Sequence, residues 1–241
     1  MMMKKLLIAA VAGLALAGCV ATPDPKDYSA LRQSNMRSIV VVPVVNKSSD
    51  VDAANFFLTT IAVPLANRGY YVYPTNMVKT LMEREGLGDP NLIHTTNAQK
   101  IGEIFGADSV LYVEVLNWKA NYAVLSSGIT VELLYTLKSA KTGQVLWQEQ
   151  RGYYHQRSGS SGNLIANLIS AAATAAFDSS RSDYTPVATI ANGVAIGAPG
   201  QGLPYGPYEP RFGKDAKEFP STGSGKITNA TVSAIAWPKA E

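Results

Sequence analysis

Cysteine is nearly absent from this chain. Its 241 residues hold a single one, Cys19, so no internal disulfide can form. Histidine is almost as scarce. His94 and His155 lie far apart, in no His-x-x-x-His pair and with no carboxylate at a ligand spacing, so the sequence implies no metal site and no cofactor. No Gly-x-Ser-x-Gly or Ser-x-x-Lys element supplies a serine nucleophile, and no Walker or Gly-x-Gly-x-x-Gly element follows a strand. Charge is sparse at 16% of residues, against 46% apolar, with mean hydropathy near zero. That balance excludes a disordered chain, a collagen-like chain and a multi-span membrane protein. The formal charge of +3 includes Lys4 and Lys5, which lie in a segment read below as a signal. The remainder is close to neutral and gives no support for nucleic-acid binding.

The one long apolar run is at the amino terminus. Lys4 and Lys5 form a basic head, and 6–17 is an apolar core too short for the ~20 residues that span a bilayer. Leu16-Ala17-Gly18-Cys19 resembles the bacterial lipobox. In signals of that kind the cysteine sulfur receives diacylglycerol, cleavage falls before the cysteine, and the new amine is acylated. Residues 1–18 thus read as a lipoprotein signal peptide and Cys19 as the lipid attachment site. The alternative is an ordinary secretory signal with a chance cysteine. Val20 stands where Asp commonly retains lipoproteins in the inner membrane of enterobacteria, so the reading is an outer-membrane anchor facing the periplasm.

Removing the signal leaves roughly 220 residues, enough for a substantial core. Residues 19–37 are polar, with Pro23 and Pro25, and read as a lipidated tether. The domain proper is expected over 38–196. Its first run, Ile39-Val40-Val41-Val42-Pro43-Val44-Val45, has the unbroken β-branched character of a strand buried on both faces, with a bulge or free ladder position at Pro43. Ser49, Asp50 and Asp52 offer caps for a helix through Arg68 that Pro64 should kink or split, with Gly69 as its C-cap. A short strand at 70–73 follows, then helices at 75–86, with Met77, Val78, Leu81 and Met82 inward, and at 96–105. Residues 109–116 form another strand. From Ile129 the pattern alternates, and a turn at Lys141-Thr142-Gly143 returns it through 144–155 as a β-hairpin. In that return strand Val145, Trp147 and Glu149 alternate against polar neighbours, while Glu132, Lys138 and Glu149 also mark a polar face. An Ala-rich helix is expected at 163–177 and another at 185–196. Residues 197–213, dense in Gly and Pro, read as an aromatic strap carrying Tyr205, Tyr208 and Phe212. Residues 214–241 read as a polar, mobile tail with a short strand at 231–237. The fold class is α/β: a mixed sheet with a parallel start and an antiparallel hairpin finish, flanked by helices.

Four blocks carry a family resemblance: Ala62-Val63-Pro64-Leu65-Ala66, Gly69-Tyr70-Tyr71-Val72-Tyr73-Pro74, Glu103-Ile104-Phe105-Gly106-Ala107-Asp108 and Gly206-Pro207-Tyr208. Through them the chain, from 38 to about 213, resembles a family of bacterial lipoproteins of unknown function known from neisserial genomes. That family is similar in fold to the amino-terminal domain of TolB, to the curli-secretion lipoprotein CsgG and to lipoprotein activators of peptidoglycan synthases. The resemblance implies an envelope interaction module with no assigned catalytic residues. Its expected partners are envelope proteins such as a CsgG-like lipoprotein, or a second copy of the chain. Two other readings stand beside it: an activator of a peptidoglycan synthase, and a cell-wall hydrolase. The carboxylate pairs that could serve a hydrolase are Asp50 with Asp52, Glu83 with Glu85, and Glu114 with Glu132, Glu114 being the most interesting because it lies in an apolar strand.

Overall fold

The valine-rich run at 39–42 sends alternate side chains to opposite faces of a sheet, and both faces are covered. Ile39 and Val41 enter one core, Val40 and Val42 another, and all four are fully buried. The computed structural model describes residues 24–122, 127–156 and 183–228. The signal segment 1–18, Cys19, the helix expected at 163–177 and the strand expected at 231–237 lie outside them.

In chain order the elements are α1 (Ser29–Gln33), β1 (Ser38–Val41), β2 (Val45–Asn46), α2 (Ala53–Thr60), α3 (Ala62–Asn67), β3 (Tyr71–Val72), α4 (Thr75–Arg84), α5 (Pro90–Thr95), α6 (Ala98–Phe105), β4 (Ser109–Tyr122), β5 (Ser127–Ser139), β6 (Val145–Gln156) and α7 (Thr185–Gly197). The sheet runs β3-β1-β4-β5-β6, with β2 also on β4. Pairing of β1 with β3 and β4 is parallel, and β4-β5-β6 is antiparallel, as the sequence predicts. Pro43 accounts for the gap between β1 and β2. It has no N–H for the ladder, which resumes through Lys47 N–H to Val115 O at 2.8 Å. Pro64 likewise splits the predicted helix, since it can give no N–H to Thr60 O, and α2 and α3 part at Ile61.

One face of the sheet packs on α1, α2, α3 and α7 through Phe57, Ile61, Leu65, Val113, Leu133, Tyr135, Trp147 and Ala191. The other packs on α4, α5 and α6 through Val78, Met82, Ile93, Ile101 and Val110. In the hairpin, Ile129, Val131, Leu133, Tyr135 and Leu137 all point to the first core. A bulge at Leu146, between the pairs Leu137–Trp147 and Lys138–Val145, shifts the return strand so that Trp147 faces Leu137 and Val145 leaves the core. Asn192, in the middle of α7, is buried but satisfied. Its amide donates to Phe57 O (3.2 Å) and Thr60 Oγ1 (2.8 Å), and its oxygen accepts from Tyr135 OH (2.7 Å).

Several expectations need correction. Met77 is 70% exposed and Leu81 also reaches solvent, because α4 turns only Val78 and Met82 toward the sheet. Helix α5 was not foreseen. It starts at Pro90, with Asp89 Oδ1 accepting from Asn91 N–H at 2.9 Å. β4 runs on to Tyr122, well past the predicted end at 116, because β5 pairs along its whole length.

The segment read as a tether is packed from Lys26 onward. Lys26, Asp27 and Tyr28 are buried, and α1 places Leu31 in the core. Nor are residues 214–228 a mobile tail. Phe219 is fully buried with its ring 5.2 Å from that of Tyr28, and Asp27 N–H donates to Lys226 O at 2.7 Å. Both misreadings have one cause. The two segments are polar because they bury polar groups against each other, a pairing invisible to local hydropathy.

Candidate functional surface

The carboxylates singled out in the sequence serve a turn, a helix end, an ion pair and a cross-strand hydrogen bond. Asp50 Oδ1 accepts from Asp52 N–H at 3.0 Å, a turn that precedes α2, and Asp52 occupies the N-cap position without a side-chain bond. Glu83 and Glu85 are exposed at the carboxyl end of α4. Glu114 is ion-paired with the exposed Lys47, and Glu132 accepts from Gln150 Nε2 at 2.7 Å. Among the described residues no three His, Cys, Asp or Glu side chains are grouped to hold a metal ion. His94 Nε2 donates to Pro43 O at 3.0 Å and its ring meets Tyr112 edge-on, a satisfied structural histidine. Burial lowers its pKa against the pull of the Pro43 carbonyl. The backbone of His155 pairs with Ile129; its side chain lies outside the described residues.

The residues that carry the family resemblance meet in space. Gly206 N–H donates to Arg68 O (2.7 Å) and Tyr208 N–H to Gly69 O (3.1 Å), which ties the strap to the end of α3. A Cβ on Gly206 would lie 2.4 Å from Gly69 O and 2.7 Å from the Tyr70 ring, so no side chain fits there. Tyr73 OH donates to Gly106 O at 3.2 Å, and Asp108 Oδ2 accepts from Arg37 N–H and Ser38 N–H, stapling β1 to the turn before β4. These contacts are structural, although Val63, Tyr71, Ile104 and Tyr208 in the same blocks are exposed.

What sequence reasoning missed is a charged clasp inside the domain. The Lys26 ammonium contacts Glu149 and donates to Gln148 O (2.6 Å) and Gln201 O (2.9 Å), with all four groups from three distant segments. Arg151 completes it, donating through Nη2 and Nε to Glu149 Oε1 at 2.7 and 2.8 Å. Trp147 Nε1 donates to Gln201 O at 2.8 Å, and the Lys26 ammonium stands 5.1 Å from the Trp147 ring centroid. Burial draws the Lys26 pKa down to about 8, against Glu149, which favours the charged form. Glu149 therefore belongs to the buried face with Trp147, which its alternation with Trp147 already indicated, and its place on the polar face is corrected.

Two surface features remain open. A groove of about 500 Å³ lies between α4 and the end of α6, lined by Tyr73, Met77, Leu81, Arg84 and Phe105. Across the molecule the strap divides. Residues 201–204 are buried, and Tyr205 stacks between Arg68 and Arg211, but Tyr208 and Phe212 are 64% and 51% exposed. The strap thus closes the core with its first half and leaves two aromatic rings outside with its second.

The chain is similar to known proteins. Residues 26–208 match the model of the family described as "Putative lipoprotein GNA1162-like". A relative in Neisseria meningitidis serogroup B, described as "Putative lipoprotein NMB1124/NMB1162", is 34% identical over 170 residues, 70% of this chain and 79% of that protein. The crystal structure of lipoprotein GNA1162 from Neisseria meningitidis matches with a TM-score of 0.49 at 32% identity, covering 58% of this chain and 96% of that one. The PelC dodecamer from Paraburkholderia phytofirmans matches with a TM-score of 0.39 at 18% identity, covering 66% and 84%.

Proposed function

Because the chain belongs to the GNA1162-like lipoprotein family, we propose that it is a lipid-anchored, non-catalytic interaction module of the bacterial envelope. It is held through Cys19 at the outer membrane, facing the periplasm, and it works by contact with other envelope proteins in a secretion or surface-structure complex. The observation that carries this reading is the apolar groove on α4, where Met77 and Leu81 face solvent on a helix whose other face is fully packed. Exposed apolar surface clustered around a groove is what a protein-binding face presents. The partner expected on this reading is a co-encoded envelope protein, such as a CsgG-like lipoprotein, or a second copy of the chain.

The activator reading demands reach, and the packed Lys26 shortens it. Only the few residues between Cys19 and Asp24 precede the described domain, a span of at most ~18 Å fully extended. The hydrolase reading asks Glu114 to act as an acid or base, and the ion pair of this half-buried carboxylate with the exposed Lys47 suits a structural charge better.

Labelled palmitate should enter the wild-type protein and not Cys19→Ala, and globomycin should make the wild-type precursor accumulate. Sedimentation of the acylated protein with its co-encoded neighbours should then show association that Leu81→Glu weakens. A wild-type protein without palmitate would remove the anchor, and release of fragments from peptidoglycan by the purified protein would remove the non-catalytic assignment.

A further inference from the structure

We propose that the exposed loop 208–217, together with the pole where the amino-terminal chain leaves the domain, docks on an anionic lipid headgroup surface. This rests on the anchor at Cys19 and goes beyond it, since an anchor alone does not orient a domain.

Tether length supplies the first argument. Lys26 is fully buried and Lys26 N–H donates to Gly200 O at 3.2 Å, while Gln201 Nε2 donates to Asp24 O at 2.9 Å. The described part of the domain is tied down as far as Asp24, no more than ~18 Å of extended chain from Cys19. A domain of this length has a radius of gyration of about 16 Å, hence a radius of about 20 Å if spherical. The tether is shorter than that radius, so the pole that carries Asp24 is held against the bilayer.

The carboxyl end of the loop stands near that pole, where Arg32 Nη2 donates to Asp215 Oδ1 and to Phe219 O, each at 2.9 Å. A Cβ on Gly200 would have Glu218 O at 3.4 Å and Pro25 Cβ at 3.7 Å, so residues 24–25 and 218 flank the same point. Tyr28 N–H donates to Pro220 O (3.0 Å) and Asp27 N–H to Lys226 O (2.7 Å), so the segment after the loop runs alongside the exit.

The loop's chemistry is the third argument. Arg211, Lys214, Lys217 and Lys226 are all exposed, against three carboxylates in 205–226 that are buried or half-buried and the exposed Asp24 at the chain's exit. Asp215 is buried and paired with Arg32, and Glu209 with Arg211. Between the cations stand the exposed rings of Tyr208 and Phe212. Cations beside aromatic rings are the composition of a membrane interface: the rings enter the headgroup level, and the ammonium groups meet lipid phosphate.

The test uses the acylated full-length chain in vesicles of phosphatidylethanolamine and phosphatidylglycerol. Acylation consumes the Cys19 thiol, so a spin label attaches only to an added cysteine. Labels at Phe212→Cys and, at the exposed carboxyl end of α4, at Glu85→Cys are compared by their accessibility to oxygen and to a water-soluble nickel chelate. The oxygen-to-nickel ratio should be several-fold higher at 212 than at 85 and should fall toward the value at 85 in phosphatidylcholine alone. Tyr208→Cys reads the same surface if Phe212→Cys folds poorly. Equal ratios at both sites, in a chain that has taken up palmitate, overturn the docking surface and leave the anchor standing. A high ratio that persists unchanged in phosphatidylcholine overturns the anionic specificity, and a chain without palmitate overturns docking and anchor together.

Discussion

Replacing Lys26 by Met should destabilise the domain by about 3 kcal/mol at pH 7, because breaking one side of a buried ion pair strands the other. The geometry sets the figure at the low end of the usual 3–5 kcal/mol. Glu149 keeps two hydrogen bonds from Arg151 at Oε1 and Gln201 O keeps the one from Trp147 Nε1, but Oε2 and the Gln148 carbonyl lose the Lys26 donor. For a domain of this size that corresponds to a fall in Tm of about 6–12 °C. Adding Glu149→Leu should recover part of the loss, since a buried pair replaced as a whole is often neutral. The pH dependence gives a second readout. Lys26 titrates near 8 when folded and near its ordinary 10.5 when unfolded, so the unfolded chain binds the extra proton between those values. Its contribution therefore rises with pH, by about 2 kcal/mol between pH 7 and 9.5. Urea unfolding followed by near-ultraviolet circular dichroism, run on wild type and variant at both pH values, measures each quantity. A Lys26→Met protein that melts within 2 °C of wild type, with no pH-dependent difference between them, would refute the clasp.

Trp147→Ala removes a fully buried ring and its bond to Gln201 O, and should cost about 3–5 kcal/mol in a denaturant titration; an unchanged melt would place Trp147 at the surface. Gly206→Ala would drive a methyl into Gly69 O and the Tyr70 ring, so its Tm should fall clearly below wild type, whereas Gly213→Ala, with open space but a positive φ, should cost only the backbone strain of about 1–2 kcal/mol. The palmitate uptake that Cys19→Ala should abolish and the label accessibility expected at residue 212 complete the set.

The parallel β1, the antiparallel hairpin and the helices flanking them were legible because each follows from a local periodicity or a local breaker. Pro43 and Pro64 even marked where the strand and helix divide. The misreadings arose where local pattern and tertiary context part. Met77 and Leu81 look like core in a helical repeat, but α4 lies at the margin of the sheet and buries only a two-residue stripe. Lys26 and Glu149 look like solvated charges, but each answers the other across 123 residues. Glu149's alternation with Trp147 was the one available sign. No sequence rule would have chosen Lys26 as its partner. The candidate surface was legible in part. The strap aromatics were noticed, yet their division into a stacked Tyr205 and exposed Tyr208 and Phe212 depends on which side Arg68 approaches.

The clasp also sets an order of events. Lys26 is among the first residues of the domain to be synthesised, yet its partners lie 122 to 175 residues later, and Asp27 N–H waits for Lys226. Contacts of such separation form late, after the loops they close have been made. The amino-terminal segment is thus the first part to emerge and the last to be stitched in. A chain cut short of Gln201 would leave Lys26 with its seat half built.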